Sequence, residues 1–278
     1  MQTPSSKRGA SNKLTTVLLR ESVSPSVVRL TLNRPERSNA FSLELLRQFV
    51  EELDSFAVPS TVRGVILTAA GKNFCGGLDF HEAIRSDDVR LMSLLVVEIL
   101  AKLRRLPQIV VAVAHGAARG GGAALLLAAD FVVAADDLTI GFPEVRRGLE
   151  PLLLFPLLRR RCDGGALREM LIPGLPINAE KAERFGLVHR IVPLDEEKRQ
   201  TETLVEEILR GETVAVRTAK EAIIAHETEL YGPLEEEFAL ALESHLVSWQ
   251  SPAAREGVAA FLEKREPAFE NRTVFTLK

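Results

Sequence analysis

The spacing of hydrophobic and polar positions changes period several times along this chain, and the changes mark out elements. Residues 15–19 and 27–32 are short runs rich in β-branched side chains, parted by Ser24-Pro25, and predict an opening hairpin. Asn33 to Pro35 stops the second strand. Ser42 then suits a helix N-cap, and Leu45, Leu46, Phe49, Val50 and Leu53 fall on one helical face through Phe56. Residues 62–68 are almost all apolar, as in a strand covered on both faces. Residues 89–106 predict a helix ended before Pro107, and 109–114 a second buried strand. An apolar helix over 123–129 follows, then short strands over 131–134 and 138–142 around Asp136-Asp137. This alternation is the rhythm of right-handed βαβ units. Beyond Leu152 the pattern turns almost wholly helical. A short helix over 178–185 is closed by Gly186, and 187–192 is one last strand. Over 195–264 the chain predicts amphipathic helices, with Phe238, Leu242 and Leu246 on one apolar face. The plan is an α/β core followed by a helical C-terminal region suited to assembly.

Composition narrows the setting. With 278 residues, 46% apolar and 26% charged, the chain can bury a sizeable core and reads as an ordinary soluble protein. A net charge of −3 gives no overall attraction to nucleic acid or an anionic membrane, so neither is expected as a partner. Apolar stretches such as 109–114 and 123–129 are too short to span a bilayer. Two cysteines, Cys75 and Cys162, make neither a disulfide framework nor a metal site, so a reducing, cytoplasmic setting is expected, with no metal. Residues 1–14 are polar, lack an apolar signal core and are expected to form a disordered tail.

Two glycine-bearing segments stand where chemistry is plausible. Gly71-Lys72-Asn73-Phe74-Cys75-Gly76-Gly77-Leu78-Asp79 follows a buried strand, and adjacent glycines let backbone approach a ligand closely. Gly116-Ala117-Ala118-Arg119-Gly120-Gly121-Gly122 runs into a helix, whose first N–H groups are unpaired and carry the positive end of the helix dipole. Two such N–H groups from two loops can bracket one oxygen. Each segment alone is more often plain turn geometry, and neither fits a phosphate-binding motif.

Several segments in order resemble the crotonase (enoyl-CoA hydratase/isomerase) superfamily. They are Leu32-Asn33-Arg34-Pro35-Glu36-Arg37-Ser38-Asn39-Ala40-Phe41, Phe74 to Asp79, His115 to Gly122, and Pro143-Glu144-Val145-Arg146-Arg147-Gly148-Leu149, with later landmarks at 182–193 and 256–264. The resemblance implies a crotonase-like spiral of ββα units over 15–195 and a helical trimerisation region over 196–278. It implies an enzyme acting on an acyl-CoA thioester, with coenzyme A as part of the substrate, no separate cofactor, and a homotrimer or hexamer. It places an oxyanion hole at the backbone N–H groups of Leu78 and Gly121. Donors preorganised in this way stabilise an enolate, and losing one typically costs about 2.7–4 kcal/mol of transition-state stabilisation. Leu78 is bulky for its position and is expected to narrow the acyl pocket. Arg37, Ser38 and Ala40 would line the CoA path, with Gly77 and Asp79 beside them. Arg34 and Arg37 could attract phosphate, while Phe261 and Lys264 read rather as helix surface.

The reaction turns on one departure. The family's hydratases use two glutamates, and the matching positions here are Ala124 and Glu144. Two carboxylates suit the addition of water, whereas one suffices to carry a proton between two carbons of an enolate. The resemblance therefore favours 3-enoyl to 2-enoyl isomerisation through Glu144, with a raised carboxyl pKa and with Arg146 and Arg147 expected to point away from it. Glu150 is a possible second acid/base, although an acid at a helix start is the commoner role. The alternatives are a hydratase or decarboxylase with a substitute group near Glu150 or His81, and a non-catalytic acyl-CoA-binding protein. His115 reads as structural, Asp79 as a loop anchor, Cys75 as an inert thiol, and Glu82 with His81 as possible neighbours of the acyl tail.

Overall fold

A computed structural model of the protein describes residues 16–56, 60–84 and 88–269. The expected tail over 1–14 lies outside the described residues. The main sheet has six strands in the order β1 (Leu18–Ser24), β2 (Val27–Leu32), β3 (Gly64–Ala69), β4 (Ile109–Ala114), β6 (Phe131–Ala135) and β9 (Arg190–Val192). Only β1 is antiparallel to its neighbour. A smaller sheet joins β5 (Ala117–Arg119), β7 (Thr139–Gly141) and β8 (Ile177–Asn178). Helices α1 (Leu43–Ser55), α2 (Phe80–Ala83), α3 (Val89–Arg105), α4 (Gly121–Ala128), α5 (Phe155–Arg161), α6 (Gly164–Leu171) and α7 (Ala179–Arg184) alternate with them. The chain ends in α8 (Glu197–Leu209), α9 (Thr213–Tyr231), α10 (Leu234–Trp249) and α11 (Pro252–Leu262).

Parallel strands need cover on both faces, and the side chains supply it. Leu30, Leu67, Val110 and Ala112 join α1, α3 and α4 in the larger core. Ile66, Val111, Val113 and Val133 face the other way, onto Leu204 and Val205 of α8. This is why β4 is buried at every position and reads as an unbroken apolar run. The Ser42 hydroxyl accepts from the Leu45 N–H and caps α1 as its position suggests.

β5 and β8 have no counterpart in the sequence pattern, and two strands of the main sheet have other bounds than it suggests. β1 begins at Leu18 and runs on through Arg20, Glu21 and Ser22. An edge strand needs only one paired side, so its exposed face tolerates polar residues; Arg29 of β2 meets Glu21 across it at 2.7 Å. The last strand is only Arg190–Val192, because Leu187 and Val188 are buried by packing rather than by pairing.

The Phe238–Leu242 stripe of α10 is spent on the core rather than on an external surface. Beside it lies a chain of charges. Lys220 of α9, 6% exposed, reaches Asp130 at 2.7 Å and the Gln108 carbonyl at 2.9 Å. Asp130 also accepts from the Val110 N–H. Arg104 pairs with Glu227, and Arg160 with Glu237. Buried charges of this kind are tolerable only when paired, and removing one partner typically costs about 3–5 kcal/mol. Lys220→Ala should therefore lower the unfolding free energy by roughly 3 kcal/mol, read as a fall in the urea midpoint.

Candidate active site

Three extended segments lie side by side. Phe74 N–H donates to the His115 carbonyl, Cys75 N–H to Ala117, and Arg119 N–H to Cys75, so the two glycine segments form a short parallel ladder. On the other side, Phe41 N–H donates to the Gly77 carbonyl and Asp79 N–H to the Phe41 carbonyl. This parallel bridge uses the residues flanking Leu78, so the Leu78 N–H faces away from it and meets no acceptor among the described residues. Gly121 opens α4, where first-turn N–H groups have no intrahelical partner. A Cβ added at Gly77 would stand 3.6 Å from the Gly121 nitrogen, which measures how closely the two segments approach.

Their contact demands particular glycines. A Cβ on Gly122 would lie 2.4 Å from the Cys75 carbonyl oxygen and 2.7 Å from its Sγ. Gly120 has φ +50°, and a Cβ there would lie 2.8 Å from Oε1 of Glu144. The triple glycine thus admits the first segment on one side and the glutamate on the other.

Asn39 clamps the front of the site. Its side chain accepts from the Arg34 N–H and donates to the carbonyls of Ala70 and Asn73. Arg34 binds the Ala40 carbonyl and reaches Asp79 at 3.2 Å. Arg34 is therefore a strut rather than a phosphate contact, and Asp79 anchors the loop with its carboxylate committed to Arg34.

The ladder floors a cavity of about 740 Å³. Arg37, Ser38, Ala40, Gly77, Leu78, Asp79, Gly121, Glu144 and Glu150 all border it, so every candidate position comes together around one space. Glu36 and Arg37 lie on its open side. Its inner wall is Ser93 and Val96 of α3, Leu153, Leu154, and His245 with Trp249 of α10. Burial pushes the His245 imidazole down to about 4, and its Nε2 accepts from the Trp249 indole N–H. This ring is neutral and structural.

Glu144 begins a 3₁₀ turn, Glu144–Arg147. Its Oε2 is enclosed and has no hydrogen-bond partner. Burial pushes its carboxyl up to about 7, against smaller opposing pulls from its own backbone N–H and from Arg147. Glu150 differs: it is exposed at the rim, before the turn Pro151–Leu154. Ala124 is fully buried in the core and does not border the cavity.

Some expectations need correction. Arg147 does not point away; in a 3₁₀ turn residues three apart share a face, which puts it on the Glu144 side. Arg146 is exposed and does not border the cavity. Phe261 and Lys264 also border the cavity rather than forming plain helix surface. Glu82 accepts from the Leu43 N–H at the start of α1, while His81 borders the cavity. His115 is structural: its Nε2 meets the Gly71 carbonyl at 2.9 Å and its Nδ1 lies 3.5 Å from Glu197, which raises its pKa. Cys75 is inert, its thiol pushed up to about 12 by burial. Sequence reasoning passed over Ser93, His245, Trp249 and Phe80. Their only signal was a place on amphipathic helices, which does not tell core from cavity wall.

A family model described as enoyl-CoA hydratase/isomerase matches residues 22–272, and the chain belongs to that family, with the crotonase fold. It is an enzyme of this type. It is similar to the trans-2-decenoyl-[acyl-carrier-protein] isomerase of Streptococcus mutans, at 32% identity over 90% of this chain and 97% of the relative. It is also similar to the 2,3-dehydroadipyl-CoA hydratase of Escherichia coli, at 30% identity over 88% and 96%. Among solved structures, an enoyl-CoA hydratase from Mycobacterium smegmatis aligns with a TM-score of 0.73 at 31% identity, covering 91% of this chain and 98% of that one. An enoyl-CoA hydratase/isomerase from Pseudoalteromonas atlantica aligns with a TM-score of 0.81 at 26% identity, covering 91% and 99%. No helix among the described residues is long and apolar enough to cross a membrane.

The fit at Gly122 is directly testable. Gly122→Ala must separate the two segments to relieve its overlap with Cys75, and overpacking of this kind costs about 1–3 kcal/mol. A lowered melting temperature, measured by calorimetry, is the expected result.

Proposed function

We propose that this enzyme moves a double bond within an acyl-CoA thioester, from the 3-enoyl to the 2-enoyl position, with Glu144 carrying the proton. The observation behind this reading is an enclosed carboxylate whose Oε2 has no hydrogen-bond partner, beside two unpaired backbone donors, with alanine at position 124. In this scheme the thioester oxygen lies between the N–H groups of Leu78 and Gly121. Glu144 takes a proton from C2, and the charge spreads onto the thioester oxygen as a dienolate. The same carboxyl returns the proton to C4, and the double bond shifts from C3–C4 to C2–C3. No atom is gained or lost, so neither a water nor a second carboxylate is required. Hydration needs both, and the other cavity-lining carboxylates are exposed or committed: Glu36 and Glu150 to solvent, Asp79 to Arg34. Burial raises the proton affinity of Glu144, which suits abstraction from a weakly acidic carbon. The similarity to an isomerase supports the same reading.

Arg37, Ser38 and Ala40, at the open end, would take the pantetheine and nucleotide of CoA. We also assign the exposed apolar residues Ile223, Leu230, Leu240 and Val247 to contacts within a homotrimer or hexamer.

Glu144→Gln should lower isomerisation of 3-hexenoyl-CoA by about a hundredfold to ten-thousandfold in kcat, because it removes the proton carrier. Unchanged turnover would refute the assignment. The base form is required in the free enzyme, so kcat/KM should fall as pH drops through about 7. A profile flat down to pH 5 would place the base elsewhere. Wild-type hydration of crotonyl-CoA should be far slower than isomerisation.

A further inference from the structure

Arg147 stands out among the enclosed arginines. Arg34 faces Asp79, Arg104 faces Glu227, Arg160 faces Glu237, and Arg119 is satisfied by the Thr139 carbonyl and hydroxyl. Arg147 has no carboxylate within ion-pair distance among the described residues. Its Nε is enclosed without a partner, and its Nη1 makes only a long 3.4 Å contact with the Pro143 carbonyl. What holds it is aromatic. The guanidinium carbon lies 4.2 Å from the ring centre of Phe261 and 5.8 Å from that of Phe80.

The backbone fixes its position. A Cβ on Gly257 of α11 would lie 2.2 Å from the Arg147 carbonyl oxygen, so the turn and the helix are in direct contact there. Phe261 is one helical turn beyond Gly257, on the same face of α11. On its own side, the 3₁₀ spacing sets Arg147 beside Glu144. Arginine stays charged, and leaving that charge partly desolvated without an anion is costly. Its planar fork matches a carboxylate.

We propose that Arg147 binds a carboxylate on the acyl part of the substrate, making the preferred substrates CoA monothioesters of dicarboxylic enoic acids. This rests on the thioester reading above. The acyl part is favoured over the CoA phosphates because Arg147 shares a face with Glu144, at the reacting carbons, whereas the open side of the cavity carries Glu36 and Arg37. A bound carboxylate would also offset the pull of Arg147 on Glu144 and make that base stronger.

Binding tests the proposal without chemistry. Adipyl-CoA and hexanoyl-CoA have equal chain length, differ by one terminal carboxylate, and cannot isomerise. In calorimetric titrations of the full chain, adipyl-CoA should bind about tenfold more tightly, the scale of one charge-assisted contact. Arg147→Met should bring that ratio close to one, and Arg147→Lys should restore part of it. Equal affinities in the wild type, or a ratio that survives Arg147→Met, would overturn the proposal. So would an equal loss for adipyl-CoA, hexanoyl-CoA and free CoA, which would assign Arg147 to the CoA phosphates or to holding α11. If Arg147→Met does not fold, the wild-type comparison decides alone. Failure of the Glu144 assignment shows separately, as unchanged turnover in Glu144→Gln, and leaves the binding ratio readable.

Discussion

Two segments about forty residues apart in the chain hydrogen-bond to each other as a short parallel ladder, and the site depends on what that ladder leaves unpaired. Pairing on both sides of residues 74–79 makes the backbone rigid. It leaves the N–H of Leu78 without an acceptor among the described residues, as the helix start leaves that of Gly121. Unpaired donors are ordinarily a liability. In the proposed reaction that rigidity would serve as preorganisation, because fixed donors need not reorient when charge develops on a bound oxygen. The close approach of Gly122 to Cys75 shows how little slack the arrangement has.

Glu144 shows the opposite balance. Its carboxyl is held in a site that opposes its charge, and burial moves its pKa from 4.5 to about 7. That difference corresponds to about 3 kcal/mol between its two protonation states. The sign follows from the direction. A raised carboxylate pKa means the folded state prefers the protonated form, so stability declines as pH rises from the unfolded value through the folded one. A purely structural carboxylate would gain nothing from such a position. A proton carrier does, because its affinity is then closer to that of the carbon acid it must serve.

The sequence made the core strands and the glycine segments readable for a simple reason. A strand covered on both faces has no polar option, as Ile109–Ala114 shows, and close backbone contact leaves few choices besides glycine. The edge strand was less readable because its exposed face imposes no pattern, so the apolar run ended at residue 19 while the strand continues through Ser24. At the site, residues defined by backbone or by motif register were legible: Leu78, Gly121 and Glu144. Side chains on helices were not. Ser93, His245 and Trp249 occupy helical positions that would serve equally well in a core. The direction of Arg147 was misjudged because it was inferred from the raised pKa expected of Glu144, which a nearby cation opposes, whereas a 3₁₀ turn brings residues 144 and 147 onto one face.

That turn also changes the role of the C-terminal helices. The last strand of the main sheet is β9 (Arg190–Val192), and the chain beyond it is helical. The cavity does not respect the division. Its wall includes His245 and Trp249 of α10, and Phe261 and Leu262 of α11. Phe80, beside the first glycine segment, packs edge-on against both Trp249 and Phe261, with ring centres 5.5 Å apart in each case. The Lys220–Asp130 pair ties α9 to the sheet, and the Phe238–Leu242 stripe seats α10 on the core. The helices are thus held on the sheet and core by these contacts, and α10 and α11 also border the cavity. In the proposed reaction, the C-terminal helices would shape the acyl end of the cavity while the ladder fixes the backbone donors.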